Sequence, residues 1–200
     1  MGCDIHIATE MRHNGRWRRV RLDQEYDGRN YRLFAMLADV RNSYGIAPIA
    51  EPRGLPDDIS HDLEDGENFW LGDHSYSWLT LRELGSYHWL RPLRLSGTIP
   101  LPKFVERINH EVDDRPSEYS SGVSGPNVVT FSRDEALTKI HNGGIVLPSS
   151  ALPYVREEWE ETHAEAAGTF YSETLPALRS LADRSGVTAD DVRIVFGFDS

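Results

Sequence analysis

Along residues 1–11 apolar and polar positions alternate: Cys3, Ile5 and Ile7 fall on one side, Asp4, His6, Ala8 and Glu10 on the other. That period of two is expected of a half-buried strand. Asn14-Gly15 is a two-residue hairpin signal, and Arg16–Leu22 runs back with Val20 and Leu22 opposed to Arg19 and Arg21. The pattern predicts an N-terminal β-hairpin. Over Asn30–Arg41 the period becomes helical through Tyr31, Phe34, Ala35 and Ala38, widened by Leu33, Leu37 and Val40, with Asn30 as N-cap and Tyr44-Gly45 as stop. Residues 45–77, broken by Pro48, Pro52, Gly54 and Pro56, read as irregular apart from one helical turn near Asp57–Ser60. A stretch of that length is usually functional or disordered, and Trp70 and Tyr76 within it, with Trp78 just beyond, argue against disorder.

Thr80–Glu83 is a capping box for a short helix ending near Gly85, and Ser132–Glu135 a second, for a helix ending at Gly143-Gly144. Pro102–Val112 reads as a helix, residues 113–126 as a polar mobile loop, and Ile145–Leu147 as a short strand. Ala151–Ala167 and Phe170–Arg184 read as one or two helices interrupted at Pro176. Trp159 among Glu157, Glu158, Glu160 and Glu161 reads as a solvated acidic helix. Val192, Ile194, Phe196 and Phe198 alternate in a terminal strand. Together these predict a single α+β domain over residues 1–200, its N-terminal hairpin and C-terminal strand in one mixed sheet packed by several helices. Chain ends often lie close, so Val192–Phe198 is expected beside Cys3–Thr9, bringing Asp199 towards Asp4 and His6.

Composition adds exclusions. With 39% hydrophobic and 26% charged residues in 200, the chain is globular and large enough to fold without a metal or disulfide. Its single cysteine excludes an intrachain disulfide and a Cys-cluster zinc site. No apolar run approaches the roughly 18 residues of a membrane helix, and the N-terminus has no signal-peptide pattern, so a cytoplasmic protein with no membrane partner is expected. The net charge of −11 argues against duplex nucleic acid as partner. Residues 1–55 nevertheless hold nine Arg and no Lys against seven acids, leaving +2 there and −13 on the remainder. Arg presents a planar fork suited to phosphate, which points to a compact anion site or, more simply, to a basic hairpin on an acidic protein.

Three constellations carry chemistry. Asp4 and His6, two apart on a strand, project the same way, as half of a metal site for Mn²⁺, Fe²⁺ or Zn²⁺ or as a base with its orienting carboxylate. Gly72–Trp78 packs His74, two hydroxyls and two aromatics before a helix start, with Tyr76 or Trp78 placed to stack a base. Asp27–Tyr31 sets Arg29 and Asn30 at the N-terminus of the first helix as phosphate donors, and Arg53 sits on a Pro-Arg-Gly turn. His6 and His74 as acid and base would cleave a ribose phosphodiester, with Asp4 orienting His6. A divalent metal, Mn or Zn, held by Asp4, His6 and Asp73 is the variant of the same reading. Cys3, on the apolar side of its strand, reads as a packing residue, and the other histidines, His163 among them, as surface.

Met1-Gly-Cys-Asp-Ile-His6, Tyr26-Asp-Gly-Arg-Asn-Tyr-Arg-Leu-Phe34, Glu51-Pro-Arg-Gly-Leu-Pro56, Asp73-His-Ser-Tyr-Ser-Trp-Leu-Thr80 and Val192-Arg-Ile-Val-Phe-Gly-Phe-Asp199 together resemble a family of small proteins encoded mainly by bacteriophages and prophages. The similarity covers both ends and the first 85 residues, and little of 97–187. Where many relatives end in a Phe-Trp-Phe-Asp-type strand, this chain has Gly197. The resemblance implies a phage protein acting in the bacterial host cell. Combined with the local Arg, aromatic and His content, it suggests counter-defence: binding and cleaving a cyclic-dinucleotide immune messenger, as a cyclic-nucleotide phosphodiesterase. The alternatives are a homo-oligomeric sponge that holds the messenger intact, and an acidic inhibitor of a host nucleic-acid-binding protein.

Overall fold

The computed structural model describes residues 2–64, 69–110 and 115–199. By their internal packing these form two compact units, Met1–Leu90 with His163–Ser200, and Arg91–Thr162.

In the first unit, strand β1 (Asp4–His13) turns at Asn14-Gly15 into β2 (Arg16–Val20). Both turn residues have positive φ, 50° and 76°, the backbone twist a two-residue hairpin requires. Strand β7 (Val192–Asp199) lies against the other edge of β1, and β3 (His74–Thr80) against β7, giving the order β2-β1-β7-β3. The hairpin and C-terminal strand thus share one sheet, as the alternation predicts, and every pairing in it is antiparallel. Helix α1 (Tyr31–Ala38) packs on one face, its Phe34 ring 5.2 Å from Phe198. It stops at Asp39, which takes the left-handed conformation (φ 58°), well before Tyr44-Gly45. The opposite face, carrying Ala8 and Val195, is covered by Leu63 and Leu71 with Ile59 and Phe69, in a segment that contains the short α2 (His61–Glu64). The stretch read as irregular is therefore a strap across the sheet, and the constellation read as a loop, residues 72–78, is largely strand β3.

Helix α3 (Leu81–Ser86) starts at the expected capping box, the Thr80 hydroxyl and Glu83 carboxylate each bonding the other residue's backbone. After α6 (His163–Ala167), a π-helical turn (Phe170–Thr174) leads into α7 (Leu175–Ser185). Pro176 sits at the start of α7, directly after the π-helical turn, so the helical run from Phe170 changes register at the expected proline, whose missing N–H cannot continue the preceding turn.

The second unit has β4 (Pro92–Pro100), α4 (Leu101–Asn109), β5 (Val128–Phe131), α5 (Arg133–His141) and β6 (Leu152–Thr162). Its sheet, order β4-β6-β5, joins an antiparallel to a parallel pairing, over a core of Ile99, Phe104, Phe131, Ala136 and Val155. The acidic segment read as a helix is β6: Val155, Glu157, Trp159 and Glu161 are buried in strict alternation. Ile145–Leu147 is not a strand, and Val146 is 95% exposed. Residues 111 and 112 of the expected helix and 113 and 114 of the expected loop lie outside the described residues.

The second unit leaves and rejoins the chain at one place. Pro92 and Thr162 are direct antiparallel partners, and in the first unit the Ala164 N–H donates to the Trp89 carbonyl at 2.8 Å. Joining Leu90 to His163 through a short Gly/Ser linker is expected to leave the first unit folded, with a cooperative thermal transition and intact near-UV circular dichroism. A product without tertiary signal would contradict this.

Candidate functional site

The segments singled out in the sequence meet at one end of the four-stranded sheet, where β1 begins and β7 ends. Asp4 is the register partner of Asp199, and the Asp4 N–H donates to Asp199 Oδ1 at 3.1 Å. Two residues on, His6 Nε2 lies 3.3 Å from Asp199 Oδ2. The approach of Asp199 to both residues is as the alternation predicts. The orienting carboxylate of His6 is therefore Asp199. Asp4 instead takes a two-pronged bond from Arg29, Nε to Oδ1 at 2.7 Å and Nη2 to Oδ2 at 2.6 Å. This guanidinium holds the Asp4 carboxyl below the usual carboxylate range, and Asp4 in turn raises Arg29. Arg29 is thus delivered to a carboxylate of its own chain. An incoming anion there must compete with Asp4.

Trp70 completes the group, and sequence reasoning missed it. Its ring centroid is 4.7 Å from that of His6 at 50°, while the residue is 53% exposed. A half-exposed tryptophan packed on an imidazole that a carboxylate positions offers a free aromatic surface beside a proton donor or acceptor. The one signal in the sequence was an aromatic inside a Pro-interrupted polar stretch. Cys3 is buried as expected, and burial pushes its thiol pKa up, against the influence of Arg41. That is a packing residue, not a nucleophile.

His74 does not meet His6. They flank β7 at consecutive register positions, His6 opposite Gly197 and His74 opposite Phe198. Successive residues of a strand point to opposite faces, so the two imidazoles leave the sheet on opposite sides. His74 stacks on Phe198 at 6.1 Å and 22°, and its Nδ1 is 2.9 Å from Ser75 Oγ, at an irregularity where Ser75 adopts φ 53°. The paired acid and base read from the sequence are thus separated. The metal set of Asp4, His6 and Asp73 is also not assembled, and no group of three or more His, Cys, Asp or Glu placed to hold a metal occurs among the described residues. Asp4 is occupied by Arg29, and Asp73 is tied to β7 through its N–H to the Phe198 carbonyl at 2.8 Å.

The remaining candidates have structural duties. Asn30 caps α1: its Oδ1 accepts the N–H groups of Arg32 and Leu33 at 3.1 and 3.3 Å, and its Nδ2 donates to the Ala166 carbonyl at 2.7 Å. Tyr76 donates its hydroxyl to the Gly72 carbonyl at 2.8 Å, and its ring lies where a side chain on Gly197 would sit. The Leu71 carbonyl crowds the same point, so glycine is required here by the strap. Arg53 lies 3.9 Å above the Trp78 ring and bonds the Trp78 carbonyl and Glu83, which covers that ring against a base. His163, read as surface, is buried and hydrogen-bonded to Tyr87 at 2.6 Å. Arg12, Arg29 and Arg53 all pair with acids of this chain, Asp191, Asp4 and Glu83, so much of the N-terminal arginine excess is spent internally.

No helix among the described residues is long and apolar enough to cross a membrane. No family model, curated protein or solved structure matches this chain.

Proposed function

We propose that this chain binds a small nucleotide-type ligand at the polar end of the four-stranded sheet and sequesters it intact. The observation that carries the reading is the His6–Trp70 pair: an exposed indole face for a base, beside an imidazole positioned by Asp199. Arg29, bound to Asp4 at the same end, is the cation a phosphate would recruit in exchange. Sequestration is favoured over cleavage because the second imidazole, His74, lies on the other face of the sheet, and no group of three or more His, Cys, Asp or Glu placed to hold a metal stands in for it among the described residues. The resemblance to phage-encoded proteins supplies the setting, a counter-defence protein holding a cyclic-dinucleotide immune signal inside the bacterial host cell.

The test is calorimetry with a panel of cyclic dinucleotides, followed by heat release and chromatography. The expected result is stoichiometric binding and recovery of unaltered ligand. Trp70→Ala is expected to weaken binding roughly 5- to 160-fold, the value of one stacked base, and His74→Ala to leave it unchanged. A cleaved product would restore the hydrolase reading. Absence of binding by every member of the panel at millimolar concentration would end the nucleotide reading.

A further inference from the structure

The second unit has a strand edge without a strand partner among the described residues. Strand β5 pairs with β6 only as far as Phe131 opposite Val155, after which the chain turns at Ser132 into α5. On the side away from β4, β6 continues from Arg156 to Glu160 without a strand partner among the described residues. A cleft of about 590 Å³ runs along this stretch. All five consecutive residues line it, together with Ser132, Arg133, Asp134 and, from β4, Arg94. Successive side chains of a strand point to opposite faces, so a cleft touched by five in a row reaches the backbone edge, and Arg94, the β4 partner of Glu160, carries it onto the face those two share. An open edge presents alternating N–H and C=O groups in the geometry of a template.

The side chains state what the edge would accept. Arg156, Glu158 and Glu160 project to one face and are exposed, and no ion pair engages any of them among the described residues. Between them Trp159 is 4% exposed, lines the cleft, and has an indole N–H without a hydrogen-bond partner among the described residues. Glu157, its other inward neighbour, is already held by Arg133. In a sheet, directly opposed residues share a face, and opposite charges there attract.

We propose that β6 receives an extended segment of a partner protein as an added strand, in line with β5, and that the segment carries basic, apolar and basic residues in succession opposite Glu160, Trp159 and Glu158. An acidic residue opposite Arg156 completes the match. The recognition is main-chain pairing along the edge, with the alternating charges setting the register. It is independent of the nucleotide reading, which concerns residues of the first unit only.

The probes are two labelled peptides with the core Lys-Val-Lys-Ser-Glu and its reverse, Glu-Ser-Lys-Val-Lys, followed by fluorescence polarisation with the full chain. Saturable binding of one peptide is expected, abolished by N-methylation of alternate peptide nitrogens, which blocks the pairing without touching the protein. The double variant Glu158→Lys, Glu160→Lys, altered only at exposed positions, is expected to bind about tenfold more weakly. No saturation at millimolar peptide, or equal binding of the N-methylated peptide, would overturn the proposal. So would a molecular mass in light scattering that rises with concentration and falls in the Glu158→Lys, Glu160→Lys variant, since a second copy of this chain would then be the occupant.

Discussion

Arg193→Leu is expected to destabilise the protein by about 3–5 kcal/mol, the cost of leaving one partner of a buried ion pair uncompensated. Arg193 and Glu10 are 2% and 0% exposed, joined by Nε to Oε2 at 2.6 Å across the β7–β1 pairing. The same guanidinium lies 3.8 Å over the Trp17 ring and donates to Asp58 Oδ1 at 2.7 Å, while Trp17 Nε1 donates to Asp58 Oδ2 at 2.8 Å. Glu10 in turn accepts the Ser60 N–H at 2.7 Å. One arginine therefore fixes both the sheet and the start of the strap that covers it. Its loss strands a carboxylate with no exposure and frees residues 58–60. Urea denaturation measures the cost, and a loss below about 1 kcal/mol would show the pair to be dispensable. The double variant Glu10→Met, Arg193→Leu is expected to recover part of the loss, because no buried charge remains.

The same network predicts acid sensitivity. Burial alone would raise the Asp58 carboxyl, but the bonds from Arg193 and Trp17 outweigh it and hold the group below its ordinary value of 3.8. A carboxylate whose pKa is depressed on folding contributes stability above its unfolded pKa and loses it as pH falls through the folded one. Stability of the native chain should therefore drop below about pH 4, and Arg193→Leu should show a shallower drop over the same range.

Local signals of short range were legible in this sequence. Both capping boxes, the Asn14-Gly15 turn and the two terminal strands stand where pattern places them, because each depends on residues within four positions or on a bare period of two. The helix reading of 151–167 failed for an identifiable reason. Glu157 and Glu161 look solvated, yet they are inward residues of β6 close to Arg133 and Arg115, so burial of paired charge concealed the strand period. Strand β3 was hidden by its irregularity between His74 and Ser77, which breaks the alternation. The approach of Asp199 to Asp4 and His6 was readable from the alternation of the two terminal strands. Which polar groups satisfy one another was not: Asn30 is consumed as a cap, Arg29 by Asp4 and Arg53 by Glu83 and the Trp78 carbonyl. Those partners come from positions up to 136 residues away in the case of Asn30 and Ala166.

Gly197→Ala is expected to cost about 3 kcal/mol, the upper part of the range for overpacking, and to weaken ligand binding about as much as Trp70→Ala does. A methyl at this position would collide with the Leu71 carbonyl and with the Tyr76 ring. The first of these is main chain and is not free to swing aside. Gly72 adopts φ 90°, a side chain there would meet the Phe198 backbone, and the Asp73 N–H is bonded to the Phe198 carbonyl, so residues 71–73 are held close to β7. Relief must come by lifting the strap. Trp70 directly precedes the clamp, so the lifted strap carries its ring off His6, and the exposed stacking surface is lost without any change to a residue that touches ligand. Gly85→Ala is the matched control: it lies within α3, has nothing within 4 Å of an added methyl, and is expected to stabilise by about 0.5–1 kcal/mol. Thermal melts and calorimetry on the two variants separate the cases. Gly197→Ala with native melting and native affinity would mean that the strap is not held by this contact, and that Trp70 owes its place beside His6 to something else.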